Sequence, residues 1–68
     1  MNSRYEIVIF WSDDDERFVA EVPELPGCMA DGTTYQDALA QAERAIEDWI
    51  ETALDLGRQI PKPRRHIA

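Results

Sequence analysis

Chemistry in this 68-residue chain would have to come from few side chains. Cys28 is its one cysteine and His66 its one histidine. A thiol nucleophile needs a base to deprotonate it, and His66 lies in a proline-containing tail. Cys28 therefore reads as a structural residue, and His66 as incidental. One thiol and one imidazole do not make a zinc site. Asp13-Asp14-Asp15-Glu16 sets four carboxylates side by side. No glycine-spaced calcium loop accompanies them, so they read as a solvated turn. Asp31, just before Gly32, offers one carboxylate to a metal-dependent nuclease. Such a site needs several acids converging from different elements, and the plainer role is a turn residue at a helix start. There is no glycine-rich phosphate loop, nucleophile elbow or His-Glu-x-x-His. Nothing here speaks for an enzyme, a metal or a cofactor.

The elements that would hold these groups are few. Arg4 to Trp11 is rich in β-branched and aromatic residues and reads as a strand. Tyr5, Ile7, Ile9 and Trp11 point to one face; Glu6, Val8 and Phe10 point to the other. Both faces are largely apolar, so the strand is expected to be covered on both sides, at least in part. Ser12 to Glu16 turns the chain into a second strand, Arg17 to Val22, completing a hairpin. Pro23 ends that strand, because proline cannot donate to a ladder. Pro26-Gly27 suits the centre of a type II turn. Cys28 to Asp31 forms a third short strand, broken by Gly32. Thr33 or Thr34 then caps a helix, with Gln36 or Asp37 completing a capping-box pair. Its apolar stripe runs Ala38, Leu39, Ala42, Ala45, Ile46, Trp49, Ile50, Ala53, Leu54, and Gly57 stops it.

The sum is an α+β domain of two layers. One long helix packs on a three-stranded antiparallel sheet in the order β-β-β-α, with room for a short fourth strand near Ile60. Residues 1–60 form the domain, and 61–68 a basic tail containing Pro61 and Pro63. The sheet's second face then has no layer of its own, so a homodimer or higher oligomer is expected.

Charge narrows the partners. All 14 acids fall in Met1 to Gly57, where Arg4, Arg17 and Arg44 are the only bases, leaving that body at −11. Arg58 to Ala68 carries four bases and no acid. Such a body repels a phosphate backbone and attracts a basic protein. Glu43, Glu47 and Glu51 repeat at i,i+4 on the helix, with Asp48 and Asp55 beside them and Arg44 placed to offset some repulsion through Asp48. Like charges at this spacing cost roughly 0.2–0.5 kcal/mol per pair. A basic partner would relieve that cost, so the ridge reads either as a solvated face or as a docking site. Trp49 belongs to the helix stripe. Trp11, at a strand end beside the acidic turn, reads equally as core or as an interface anchor. Leu25, in the turn after the second strand, joins Trp11 and the three glutamates as a partner-binding candidate. A single cysteine forbids an internal disulfide, and the longest apolar run, Ile7 to Trp11, is far too short for a membrane span. The chain is placed in the cytoplasm by default.

Three motifs then add something specific. Pro23-Glu24-Leu25-Pro26-Gly27-Cys28, Gly32-Thr33-Thr34 and Asp37-Ala38-Leu39-Ala40-Gln41-Ala42 closely resemble the HicB-like antitoxin family. Gly57 followed by Ile60-Pro61-Lys62-Pro63 is similar to that family's ending. Asp37 stands where the family usually has Glu, and Gln41 where it has Asn. The resemblance implies a partly formed ribonuclease-H-like fold without catalytic activity. It implies an antitoxin that covers the catalytic histidine and RNA surface of HicA, a small basic RNA-cleaving toxin with a double-stranded-RNA-binding-domain-like fold. Many family members add a C-terminal DNA-binding domain. Eleven residues after Gly57 leave no room for one here, so a stand-alone antitoxin without operator binding is expected. Two rivals remain: an RNA-binding module suggested by the β-β-β-α order and the basic tail, and a residual metal-dependent nuclease using Asp31 and the acidic turn.

Overall fold

The computed structural model describes residues 4–63. Three strands, β1 (Val8–Ser12), β2 (Arg17–Glu21) and β3 (Met29–Gly32), precede one helix, α1 (Tyr35–Leu56). The sheet is antiparallel, in the order β1-β2-β3. This is the two-layer α+β arrangement that the sequence pattern predicts. His66 and the rest of the tail beyond Pro63 lie outside the described residues.

β1 is shorter than the β-rich run from Arg4. Pro23 ends β2, so residues before Val8 have no strand opposite them. Glu6 instead donates its N–H to Glu24 Oε1 at 2.8 Å. β3 starts one residue late because the Cys28 N–H closes a turn onto Leu25 O at 2.9 Å. It also runs through Gly32, which pairs with Phe18. That position needs glycine for space: a Cβ there would lie 2.5 Å from Ala38 N. No fourth strand forms near Ile60 among the described residues. Pro61 and Pro63 lack the N–H groups a ladder requires, and the Pro61 carbonyl instead accepts from the Tyr5 hydroxyl.

The helix ends are closed as their residues dictate. Thr34 Oγ1 accepts from Asp37 N–H at 3.0 Å, and Asp37 Oδ2 accepts from Thr33 N–H at 3.1 Å. At the other end Gly57 takes φ 70°. Its N–H reaches Leu54 O, while Arg58 N–H reaches Ala53 O, a Schellman motif. At 1.5 Å per residue the 22-residue helix is about 33 Å long.

Two core clusters lie between helix and sheet. Under the first half of the helix sit Ala20, Ala38 and Ala42, flanked by Ile7, Ile9, Phe18 and Ala30. Under the second half sit Val22, Leu25, Cys28 and Ile46, flanked by Tyr5, Ile7, Trp49 and Ile50. Leu39 and Leu54, which the periodicity assigns to the stripe, are exposed. Each stands one residue, or about 100°, around the helix from a buried alanine, Ala38 or Ala53. The outer sheet face has no covering layer. Val8, Phe10 and Met29 are exposed on it, so the expectation that β1 is covered on both sides fails for the chain alone.

Candidate functional site

The hairpin end of the sheet and the start of the helix meet in an aromatic cluster. Trp11 and Phe18 are cross-strand partners. Their rings meet edge to face, with centroids 5.0 Å apart. The Phe18 ring lies 4.2 Å from that of Tyr35, the first residue of the helix. Phe18 is half-buried, whereas Trp11 is 48% and Tyr35 57% exposed. Edge-to-face aromatic pairs contribute about 0.5–1.5 kcal/mol beyond the area they bury. The cluster therefore fixes two large exposed rings before any partner arrives. Trp11 Nε1–H donates to Asp13 Oδ1 at 2.8 Å, tying the indole to the acidic turn. That turn is itself ordered: Ser12 Oγ–H donates to Asp15 Oδ2 at 3.1 Å, and Glu16 closes the hairpin at φ 54°.

From Tyr35 an i,i+4 row runs along the helix through Leu39, Glu43, Glu47 and Glu51, all exposed. Such residues are neighbours on a helix surface. The three glutamates span about 12 Å. No ion pair engages their carboxylates among the described residues, and Arg44 does not pair with Asp48 there. The aromatic anchor and the acidic turn meet at the hairpin end, whereas each i,i+4 step advances about 40° around the helix, so the glutamates turn progressively from Tyr35 towards the side away from the sheet. Sequence reasoning singled out Trp11, Glu43, Glu47 and Glu51, and the structure leaves all four open to solvent. It missed Tyr35 and Leu39. The clue to Tyr35 was its place at the first helical position, directly after the Thr34 cap.

Leu25 is a correction. It is fully buried and cannot face a partner. Val22 O accepts from Leu25 N–H, Leu25 O accepts from Cys28 N–H, and Val22 N–H donates to Cys28 O. These bonds fold Pro23–Cys28 into a plug with Leu25 at its tip. Gly27 supplies the positive φ, 80°, that the type II turn requires. Trp49 Nε1–H clamps the plug from the helix, donating to Pro26 O at 2.9 Å.

The catalytic candidates do not assemble. Cys28 is buried, and burial pushes its thiol above the ordinary value, away from the reactive thiolate. Asp31 is not a turn residue: it lies in β3, on the outer sheet face, where its Oδ2 is 2.9 Å from Arg17 Nε. That contact counts as an ion pair by distance, but the Nε–H is not aimed along a hydrogen bond. Among the described residues, no three His, Cys, Asp or Glu side chains converge as a metal site would require. An open groove of about 320 Å³ lies between the helix and Gly27–Met29, beside Asp48, Thr52 and Arg58. Its one thiol, Cys28, is the buried group just described. No helix among the described residues is long and apolar enough to cross a membrane.

Fold and surface together define a class: a small, acidic, two-layer α+β domain whose distinctive exposed groups are a rigid aromatic pair and unpaired carboxylates. The chain belongs to the HicB-like antitoxin family of bacterial toxin–antitoxin systems, whose family model matches residues 5–67. The UPF0150 protein Ta0767 of Thermoplasma acidophilum is 38% identical over 55 residues, covering 81% of this chain and 80% of its own. The UPF0150 protein ssl0259 of Synechocystis is 36% identical over 64 residues, 94% of this chain and 86% of its own. Among solved structures, one described as a HicA3 and HicB3 toxin–antitoxin complex contains a similar chain. It has a TM-score of 0.76 and 32% identity, and the match covers 91% of this chain and 70% of that one. TTHA0281 from Thermus thermophilus matches with a TM-score of 0.70 and 26% identity, over 88% and 82% of the two chains.

Proposed function

We propose that this chain is the antitoxin of a small, basic, HicA-like RNA-cleaving toxin, and that it acts by covering the toxin's active surface. The likeness to a chain of the HicA3–HicB3 complex, over 91% of the present chain, carries this reading. The charge supports it independently. A net charge of −7 suits a basic protein and repels RNA. Trp11 and Tyr35 serve as the anchor, and the acidic turn and the Glu43–Glu51 ridge steer the approach. Trp is the residue type most often found as an interface hot spot, and a prefixed ring loses little freedom on binding. The chain contributes no chemistry of its own in this reading. Its carboxylates meet the toxin's cations, and the Coulomb attraction gained as water leaves offsets the cost of desolvating them.

The test is co-expression with the toxin from the adjacent reading frame. Wild-type chain restores growth and co-purifies with the toxin. Trp11→Ala weakens the complex by about 2 kcal/mol or more, read by calorimetry, with far-UV circular dichroism unchanged. A toxin that stays fully active beside the wild-type chain would end the proposal.

A further inference from the structure

We infer that the outer face of the sheet is where two copies of this chain meet. The inference does not depend on the toxin reading. Across β1, β2 and β3 this face presents three rows. Ser12 pairs with Arg17; Phe10, Val19 and Asp31 follow in register; Val8, Glu21 and Met29 complete it. Phe10 is 41% exposed, Val8 41% and Met29 56%, with half-buried Val19 between them. An apolar patch continuous across three strands is more than the scattered exposed leucines a monomer normally carries.

The charge distribution selects the occupant. The Asp13–Glu16 turn and the outer side of the helix are predominantly acidic. A second acidic copy is repelled from those regions, and a basic partner is drawn to them. On the outer sheet face the ladder carries only Arg17, Glu21 and Asp31, and Arg17 lies beside Asp31. Asp15 reaches the rim near Val19. One base against two acids leaves this ladder nearer neutral than the acidic turn or the glutamate ridge, so like can meet like here at a smaller electrostatic cost.

The same three charges choose the orientation. Two sheets stacked face to face can be related by a twofold axis along the strands or across them. The first places Arg17 over Arg17 of the second copy. The second places Phe10 over Phe10, Val19 over Val19 and Asp31 over Asp31 of the second copy, and brings Arg17 over Glu21 of the second copy; its two symmetric ion pairs outweigh the one Asp31 contact, which lies at the sheet edge with Arg17 beside it. The axis across the strands is therefore the one adopted, within the roughly 30° offset that sheet twist imposes. A three-stranded face is small beside the roughly 800 Å² per partner of a typical stable complex, so the dimer is a weak one that dissociates on dilution.

Sedimentation of the full chain from about 1 μM to about 1 mM tests this. The expected result is a mass rising from 7.8 kDa towards twice that value. Phe10→Glu should dissociate the dimer at least tenfold more readily, with unchanged far-UV circular dichroism. Should that variant fail to fold, Met29→Lys, at the more exposed position, replaces it. Arg17→Glu alone should weaken association, and Arg17→Glu combined with Glu21→Arg should restore it. Trp11→Ala, on the other face, should leave association unchanged. A wild-type mass of 7.8 kDa throughout the range overturns the inference, as does a folded Phe10→Glu that still dimerises. So does a wild-type monomer whose Phe10→Glu variant loses toxin, which would assign the face to the toxin. Failure of the charge swap to restore association overturns the orientation.

Discussion

Gly32→Ala is the sharpest structural test of this fold. The added Cβ would stand 2.5 Å from Ala38 N, 2.8 Å from the Asp37 carbonyl carbon and 2.8 Å from Asp37 Oδ2. Ordinary contact begins at 3.4 Å, so the closest approach is short by about 0.9 Å. Two of the three obstacles are helix backbone and cannot rotate away. The first turn of the helix must therefore lift from β3, straining the Thr34 and Asp37 capping bonds. Overpacking of this kind costs about 1–3 kcal/mol. A 68-residue domain has roughly 3–10 kcal/mol in total, so the variant should lose a large share. Its Tm should fall by about 4–8 °C for each kcal/mol lost. Gly57→Ala is the matched control. It meets no atom within 4 Å and suffers only from its φ of 70°, a loss of about 1 kcal/mol. Urea unfolding followed by circular dichroism gives both values. A Gly32→Ala variant within about 0.5 kcal/mol of wild type would refute the close-approach argument. The same lift displaces Tyr35 from Phe18, so toxin affinity should fall with Gly32→Ala and not with Gly57→Ala.

Three further outcomes are expected. Replacing Glu43, Glu47 and Glu51 together by Gln should slow association with a basic toxin and flatten its salt dependence, measured by stopped flow. It should also stabilise the free helix by a few tenths of a kcal/mol per relieved pair. Thr34→Ala removes the acceptor for Asp37 N–H and should cost about 1 kcal/mol in urea unfolding. The buried thiol of Cys28 has its pKa raised above 9.0 by desolvation. The folded state therefore holds the proton longer than the unfolded state. Stability is intact below the unfolded value and declines as pH rises above it. Thermal melts should show that decline in wild type, and Cys28→Ala should show less of it.

Local chemistry was legible in the sequence; tertiary competition was not. The Thr34 cap, the Gly57 stop and the Pro26-Gly27 turn follow from residue types whose backbone preferences act within a few residues. The start of β1 does not, because it depends on Glu24 capturing the Glu6 N–H from 18 residues away. Leu25 was misread for a related reason. An apolar residue between two prolines looks like loop surface until the helix places Ile46 and Trp49 around it. Trp11 was undecidable from pattern alone, since exposure at a strand end depends on what lies across it. Tyr35 escaped because its partner Phe18 is 17 residues away on another element. Asp31 pairs with Arg17 across two strands, a neighbour that only the β2–β3 register reveals.

The two clusters beneath the helix differ in kind. Ile46 and Leu25 each remove a full aliphatic side chain from water, worth about 1.5–3 kcal/mol. Ala38 and Ala42 bury little more than a methyl group apiece. The molecule should therefore have a stiffness gradient along its length. Amide hydrogens near Ile46 to Ala53 should exchange most slowly, near the global unfolding limit, and those near Ala38 to Ala42 through easier local openings. The softer half of the helix adjoins Trp11 and Tyr35, whose rings are held by their contacts with Phe18 and the Asp13 hydrogen bond rather than by the alanines beneath the helix. A protein clasping those rings would tighten the looser half of the helix, and its grip would register as slowed exchange at buried alanines it never touches.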